Sequence, residues 1–360
     1  MNRTFALRRL NHRPASRHAA GGFTLIELMV ALMLGLFILI GLVSLLVSNV
    51  GSRSELDKSS RQIDSGRYAM QLLSEDLQNA GYVGAIGATA FAFAAPIACP
   101  GQVADLRYAA QINPATSTLP LALFGLDSTP GCVSNAMANT AMLVVSRVNT
   151  NAVATTAKVA TETYLQVSSC ATDTVPFAVD TGAATFTLTQ KDCSTPEILR
   201  KVVQHLYFVS TCNVCSGSAA DSTATLKMAE YVNGAMRITP LVEGIENLQF
   251  DYGIDMDKDG APDCYTSNPT APPAAEIVAC KAAMPSYVWT DATANWSNVM
   301  AVRVHLLARN IEASAGWSDA RKYDMGLALG QIGPFNDNVK RHVYSTVARL
   351  YNSSGQREQP

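Results

Sequence analysis

Gly21-Gly-Phe-Thr-Leu-Ile-Glu-Leu-Met-Val30 opens the stretch that decides how the rest of the chain must be read. From Leu28 to Val47 no residue is charged. At about 1.5 Å of rise per residue, a helix of that length spans roughly 30 Å, the thickness of a bilayer's hydrocarbon core. One carboxylate, Glu27, stands at the edge of the run. A charge at that depth costs about 3 kcal/mol on insertion scales, so Glu27 is a candidate functional residue that needs a partner. Upstream lie Arg3, Arg8, Arg9, Arg13 and Arg17, with no Asp or Glu before Glu27. That asymmetry holds the N-terminus in the cytoplasm and sends the rest across the membrane. A secretory signal would have small residues after its apolar region for cleavage. Here the natural break, after Gly22, is on the cytoplasmic side and leaves the apolar segment attached. The other reading is a plain single-pass anchor with Glu27 at headgroup level.

The basic leader followed by Gly-Phe-Thr-Leu-Ile-Glu resembles the prepilin signal of type IV pilins and type II secretion pseudopilins. The resemblance implies that a prepilin peptidase cuts between Gly22 and Phe23 and that the new Phe23 amine is methylated. It gives Glu27 its role. In a filament core, the Phe23 amine of one subunit pairs with Glu27 of a neighbour, and two otherwise uncompensated charges are buried together.

Eight cysteines all follow the apolar segment: Cys99, Cys132, Cys170, Cys193, Cys212, Cys215, Cys264 and Cys280. An even count on the exported side reads as a disulfide set in an oxidising compartment. Eight cysteines allow 105 pairings. Sequential pairing (99–132, 170–193, 212–215, 264–280) is the default that favours local loops. Cys212-Asn-Val-Cys215 could instead be a redox or metal motif. It follows a strand-like run, precedes a loop composition and has no second CxxC to complete a zinc site, which favours a structural disulfide. The formal charge is −2; without the five leader arginines, 22 basic residues face 29 acidic ones. An acidic exported body offers nucleic acid no general electrostatic attraction.

Past Val50 the pattern becomes amphipathic. Ile63, Met70, Leu73, Leu77 and Ala80 share a helical stripe, with Arg61, Asp64, Arg67, Gln71, Glu75 and Asp76 largely elsewhere. Neither Pro nor a turn cluster interrupts residues 23–80, and Gly81 is a helix stop. One long helix is expected, with Gly66 as a soft point. Residues 85–139 read as loops and short strands, and strands are expected at 141–148, 161–167, 184–189, 202–210, 226–232, 247–254, 299–308 and 342–350. Segments 211–225 and 267–275 read as exposed loops. Many strands at hairpin spacing behind one helix give an α+β fold with a mainly antiparallel sheet. The organisation expected is a leader (1–22), a membrane or filament-core helix (23–50), its amphipathic continuation (51–84) and a periplasmic β-rich domain (85–360).

Gly66-Arg-Tyr-Ala-Met-Gln-Leu-Leu-Ser-Glu-Asp-Leu-Gln-Asn-Ala-Gly-Tyr-Val-Gly84 is similar to the helix exit of the PilW family of minor pilins. Leu241–Asp255, Met300–Arg309 and Arg341–Asn352 are similar to later segments of that family. The J-type minor pseudopilins share an Asp-Leu-x-x-Ala helix ending. The PilW resemblance implies a pilin-like fold and a role with the major pilin and other minor pilins in priming assembly, in a tip complex that supports adhesion and twitching motility. The rivals are a type II secretion pseudopilin, whose body is normally smaller, and a filament-displayed adhesin that binds through residues 85–225.

Asp255-Met-Asp257-Lys-Asp259-Gly260-Ala-Pro-Asp263 follows a strand and sets oxygens at alternate positions around a glycine turn. Ca²⁺ takes several oxygens at about 2.3–2.6 Å, so these four aspartates are a candidate site. The twelfth position is Thr266 rather than a bidentate Glu, so a full EF-hand is not expected and another oxygen is needed. The alternative is a solvated acidic turn. No cofactor is otherwise required. His205, His305 and His342 sit inside strand-like runs as structural residues, and Trp289, Trp296 and Trp317 read as packing or loop anchors. G-x-S-x-G, Walker A, H-E-x-x-H and G-x-G-x-x-G patterns are missing. The sequence does not suggest an enzyme.

Overall fold

The computed structural model describes residues 22–86 and 91–358; the leader, Gly22 excepted, lies outside the described residues. The chain divides into two units, Met1–Leu56 and Asp57–Pro360. Helix α1 (Leu25–Asn79) is a single 55-residue element. In the first unit every described side chain from Gly22 to Ser54 is exposed, including the whole apolar run. By length and composition this segment can cross a membrane.

In the second unit, α1 buries Gln62, Gly66, Ala69, Met70, Leu73, Asp76 and Leu77. The stripe therefore differs from expectation at two places. Ile63 is exposed, and Gln62 takes the buried position because its amide donates to the carbonyls of Ala308 (2.8 Å) and Lys340 (3.0 Å). Asp76, placed by pattern on the polar side, is 6% exposed. Gly66 is not a soft point but a close approach: a Cβ there would fall inside the ring of Tyr344. Gly81 ends the helix as expected. Its φ of +72° is the left-handed conformation that suits glycine beyond a helix C-terminus, and its N–H donates to the Ser146 carbonyl at 2.9 Å.

The strands follow in chain order. A short parallel pair, β1 (Ala92–Ala94) and β2 (Thr118–Pro120), precedes the larger of two main sheets. That sheet holds β3 (Leu123–Leu126), β4 (Met142–Val153), β5 (Thr163–Val167), β6 (Phe177–Thr181), β7 (Leu199–Ser210), β8 (Thr225–Val232) and β9 (Ala235–Glu243). β7 is its axis. β4 pairs along one side of β7, while β5 (Lys201 to Leu199) and β8 (His205 to Ser210) share the other. The second sheet runs β11 (Cys264–Thr266), β10 (Ile245–Ile254), β12 (Val299–Arg309), β15 (Arg341–Arg349), all antiparallel. Between β12 and β15 lies a small hairpin, β13 (Tyr323–Asp324) and β14 (Gln331–Ile332).

Alternation along β10 and β12 sends Leu248, Phe250, Tyr252, Val302, Val304 and Leu306 into one core with Leu73 and Leu77 of α1 and Ala80 just beyond it. Leu143, Val145, Tyr207 and Val209 of the larger sheet join the same cluster, so helix and both sheets share one interior. Burying a Leu or Phe side chain in such a core stabilises by about 2 kcal/mol.

Several expected elements change. No strand forms at 184–189. The backbone of Leu188 is instead held by a buried side chain: Gln166 accepts from its N–H (2.9 Å) and donates to its carbonyl (3.1 Å). The sheet strand is β6, earlier in the chain. β9 is a further strand that was not expected; it contains Pro240, and proline is tolerated there because β9 is an edge strand. The β8–β9 hairpin turns on Asn233-Gly234, both at positive φ (49° and 79°), the two-residue turn that matches strand twist. The loop expected at 267–275 holds through Pro273, with α2 (Ala274–Lys281) taking its last two residues, and α3 (Ala292–Ser297) follows. The fold is α+β with a long N-terminal helix and mainly antiparallel sheets.

Candidate functional site

At the start of α1, Thr24 and Glu27 form a reciprocal cap. The Glu27 N–H donates to Thr24 Oγ1 at 3.3 Å, while Glu27 Oε2 accepts from the Thr24 N–H (3.4 Å) and hydroxyl (3.3 Å). Two of the helix's orphan N–H groups are satisfied this way, and the carboxylate lies at the positive end of the helix dipole. Thr-x-x-Glu before an apolar run is the sequence signature of this cap, so Thr24 was legible. Gly22 and Phe23 precede the first turn, both exposed.

The most developed polar cluster is where α1 meets β4 and β7. Asp76 Oδ1 accepts from Arg147 Nε at 2.6 Å; Oδ2 accepts from His205 Nδ1 (2.7 Å) and the Tyr207 hydroxyl (2.8 Å). Burial pushes the Asp76 carboxyl up. The His205 hydrogen bond and the charges of His205 and Arg147 outweigh it and bring it down to about 2. Tyr207 is driven up by burial and by the Asp76 charge. His205 is thus a structural residue, as its strand setting suggested. The cluster was legible in one respect: Leu73, Asp76, Leu77 and Ala80 keep the i, i+3, i+4, i+7 spacing of one face, and a carboxylate on a buried face requires partners.

His305 is held in the same manner by Asp251 (Nε2, 3.1 Å) and Ser345 (Nδ1, 3.0 Å) on the outer face of the second sheet. His342 stacks edge-on against Tyr344. Trp296 packs edge-on against Tyr252 and donates to Thr270 Oγ1 at 2.8 Å, Trp289 stacks with Tyr287, and Trp317 lies beneath Arg321 and Lys340.

The aspartate loop brings one oxygen each of Asp255, Asp257 and Asp263 within 4.8 Å of one another; Asp259 is not in that group. Asp255 is fully buried. It accepts from the N–H groups of Lys258 (2.6 Å) and Gly260 (3.0 Å) and pairs with Arg357 Nη1 at 2.9 Å. Asp263 accepts from the Met256 N–H at 2.7 Å, and Asp259 from the Ala261 N–H at 2.7 Å. The Asp259 N–H favours the charged form of Asp257. Burial and the neighbouring charges of Asp263, Asp259 and Asp255 outweigh it and shift Asp257 up. Hard oxygens crowded against their own repulsion fit a divalent cation. Sequence reading missed Arg357, which supplies part of the counter-charge from 102 residues downstream of Asp255.

The cysteines join as Cys99–Cys132, Cys170–Cys193, Cys212–Cys215 and Cys264–Cys280. The last ties β11 to α2, where Glu276 also accepts from Thr266 Oγ1 (2.7 Å) and the Ser267 N–H (2.8 Å).

Residues 206–352 match the family described as type IV pilus-assembly protein W, and residues 17–43 match the prokaryotic N-terminal methylation motif. Neither curated proteins nor solved structures give a match. The first segment covers the end of β7, from Leu206, and everything through β15, and the second covers the capped start of α1. With its methylation motif, its apolar helix and an antiparallel body whose residues 206–352 are similar to type IV pilus-assembly protein W, the chain has the features of a membrane-anchored minor pilin related to the type IV pilus.

Proposed function

We propose that this minor pilin primes type IV pilus assembly, within a tip complex formed with other minor pilins, and so supports adhesion and twitching motility. Prepilin peptidase removes residues 1–22 and the Phe23 amine is methylated. The helix waits in the inner membrane with its N-terminus cytoplasmic and its body periplasmic, then moves into the filament core, where Glu27 answers the Phe23 amine of an adjoining subunit. The observation that carries this reading is the exposed apolar length of α1, which finds no burial within its own unit and needs lipid or other helices around it. The aspartate loop holds a Ca²⁺ through Asp257, Asp263 and Asp255, stiffening the junction of β10 with the C-terminal segment that carries Arg357.

A deletion strain tests the assembly role, with surface pili and secreted substrates counted in parallel. Few or no pili with normal secretion is expected. Loss of secretion with intact pili would indicate a type II secretion pseudopilin. Normal piliation with lost surface binding would indicate an adhesin.

A further inference from the structure

Cys212-Asn-Val-Cys215 leaves the end of β7 as a loop held by more than its own disulfide. The Asp221 carboxylate accepts from the N–H groups of Asn213, Val214 and Thr223, each at 2.8 Å, which fixes the two residues between the cysteines. The bridge spans a separation of 3, against 33, 23 and 16 for the others. A loop that short restricts the unfolded chain least, so this bond contributes least to folding. Cys215 is exposed, and Cys212 is buried. Ser210 Oγ lies 3.6 Å from both sulfurs.

The decisive neighbour is Lys227 on β8. It is 7% exposed, and its ammonium lies 3.2 Å from Cys215 Sγ. Burial lowers its pKa despite the more distant Asp221. Among the described residues no carboxylate pairs with it; Glu243, nearby, is engaged by Asn213. A disulfide sulfur is a weak acceptor, so a buried ammonium facing one is poorly compensated. A thiolate at the same position would compensate it fully. Stabilising the reduced form in this way makes a cysteine pair easier to reduce.

We propose that Cys212–Cys215 is a thiol–disulfide exchange site that takes electrons from an external dithiol, with Lys227 as counter-ion to the Cys215 thiolate. One thiolate of the dithiol attacks the exposed Cys215 sulfur. The S–S bond breaks, and the Cys212 sulfur leaves with the electron pair and takes up a proton. The second thiolate of the dithiol then attacks its own partner sulfur, releasing Cys215 as a thiolate beside Lys227. Two electrons pass to the pair and the dithiol leaves as a disulfide.

The test uses the full chain in detergent, equilibrated over a range of reduced-to-oxidised dithiothreitol ratios, then alkylated and mapped by peptide mass. Cys212 and Cys215 should label at ratios that leave the other six cysteines bonded. Lys227→Met should make the pair roughly tenfold harder to reduce, about 30 mV, while Lys227→Arg keeps the wild-type poise. The six unlabelled cysteines in each variant report that it is folded. Reduction of this pair together with or after the others, or a Lys227→Met poise equal to wild type, overturns the proposal.

Discussion

Asp76 on α1 and Arg147 on β4 meet at 2.6 Å, and the remaining oxygen of that one carboxylate holds both His205 and Tyr207 of β7. A single acidic residue thereby fixes the helix to the two central strands of the larger sheet. The surrounding core of Leu73, Leu77 and Ala80 supplies most of the attraction but little direction, since apolar burial does not depend on orientation. The hydrogen-bonded carboxylate sets the rotation and height of the helix.

This arrangement has a defined acid sensitivity. The Asp76 carboxyl lies at about 2 when folded, below its ordinary 3.8. A depressed acid contributes stability that is complete above the unfolded value and is lost as pH falls from about 3.8 through about 2. The difference is worth about 2 kcal/mol. Asp76→Asn should therefore lose at least about 2 kcal/mol at pH 7 by denaturant unfolding, more where Arg147 is left unpaired. The gap between wild type and variant should close as the pH approaches 2. A gap independent of pH would mean that Asp76 acts through packing alone.

Gly66 sets two effects against each other. Replacing a helical glycine with alanine ordinarily stabilises by about 1 kcal/mol. Here the added methyl would enter the Tyr344 ring, so Gly66→Ala should destabilise instead. In a Tyr344→Ala background the same change should recover its ordinary sign. Measuring all four proteins by thermal unfolding gives the coupling directly; additive effects would show that helix and strand do not touch at this point.

The long helix and the late strands were readable because their patterns are local: an uncharged run, a 3.6-residue stripe, alternating β-branched residues. What escaped depends on partners distant in sequence. Gln62 replaces Ile63 in the interior only because two carbonyls, from Ala308 and Lys340, wait opposite it. Asp76 is buried only because β4 and β7 bring Arg147 and His205 to it. Segment 184–189 has the composition of a strand but is held by side chains, Gln166 at Leu188 and Asp173 at Thr189. The Asn233-Gly234 hairpin and the Thr24–Glu27 cap are different: both signals are short and local, an Asn-Gly pair and Thr-x-x-Glu, and neither needs a distant partner.

The aspartate loop makes opposite predictions with and without a cation. In chelator, Asp257 is held ionised against its neighbours, so Asp257→Asn should raise the melting temperature. With Ca²⁺ present the wild type should melt higher than it does in chelator, and the variant should lose that response. Calorimetric scans of both proteins in chelator and in Ca²⁺ measure this. A wild type indifferent to both would remove the site and leave Arg357 as the loop's main counter-charge.

Glu27 has two separable roles, since a cap needs an acceptor and a filament pair needs a charge. Glutamine accepts from a backbone N–H as glutamate does, so Glu27→Gln should preserve the Thr24 cap and the helix content seen by circular dichroism. Glu27→Ala should lose the cap, at a cost of about 1 kcal/mol to the first turn. Neither change alters Gly22 or Phe23, so leader removal should continue in both. If the carboxylate answers a buried amine in the filament, both variants should be excluded from sheared pili to the same degree, because an uncompensated amine remains in each. Incorporation of Glu27→Gln at the wild-type level, with Glu27→Ala excluded, would assign the residue to capping and remove the charge pair from the assembly mechanism.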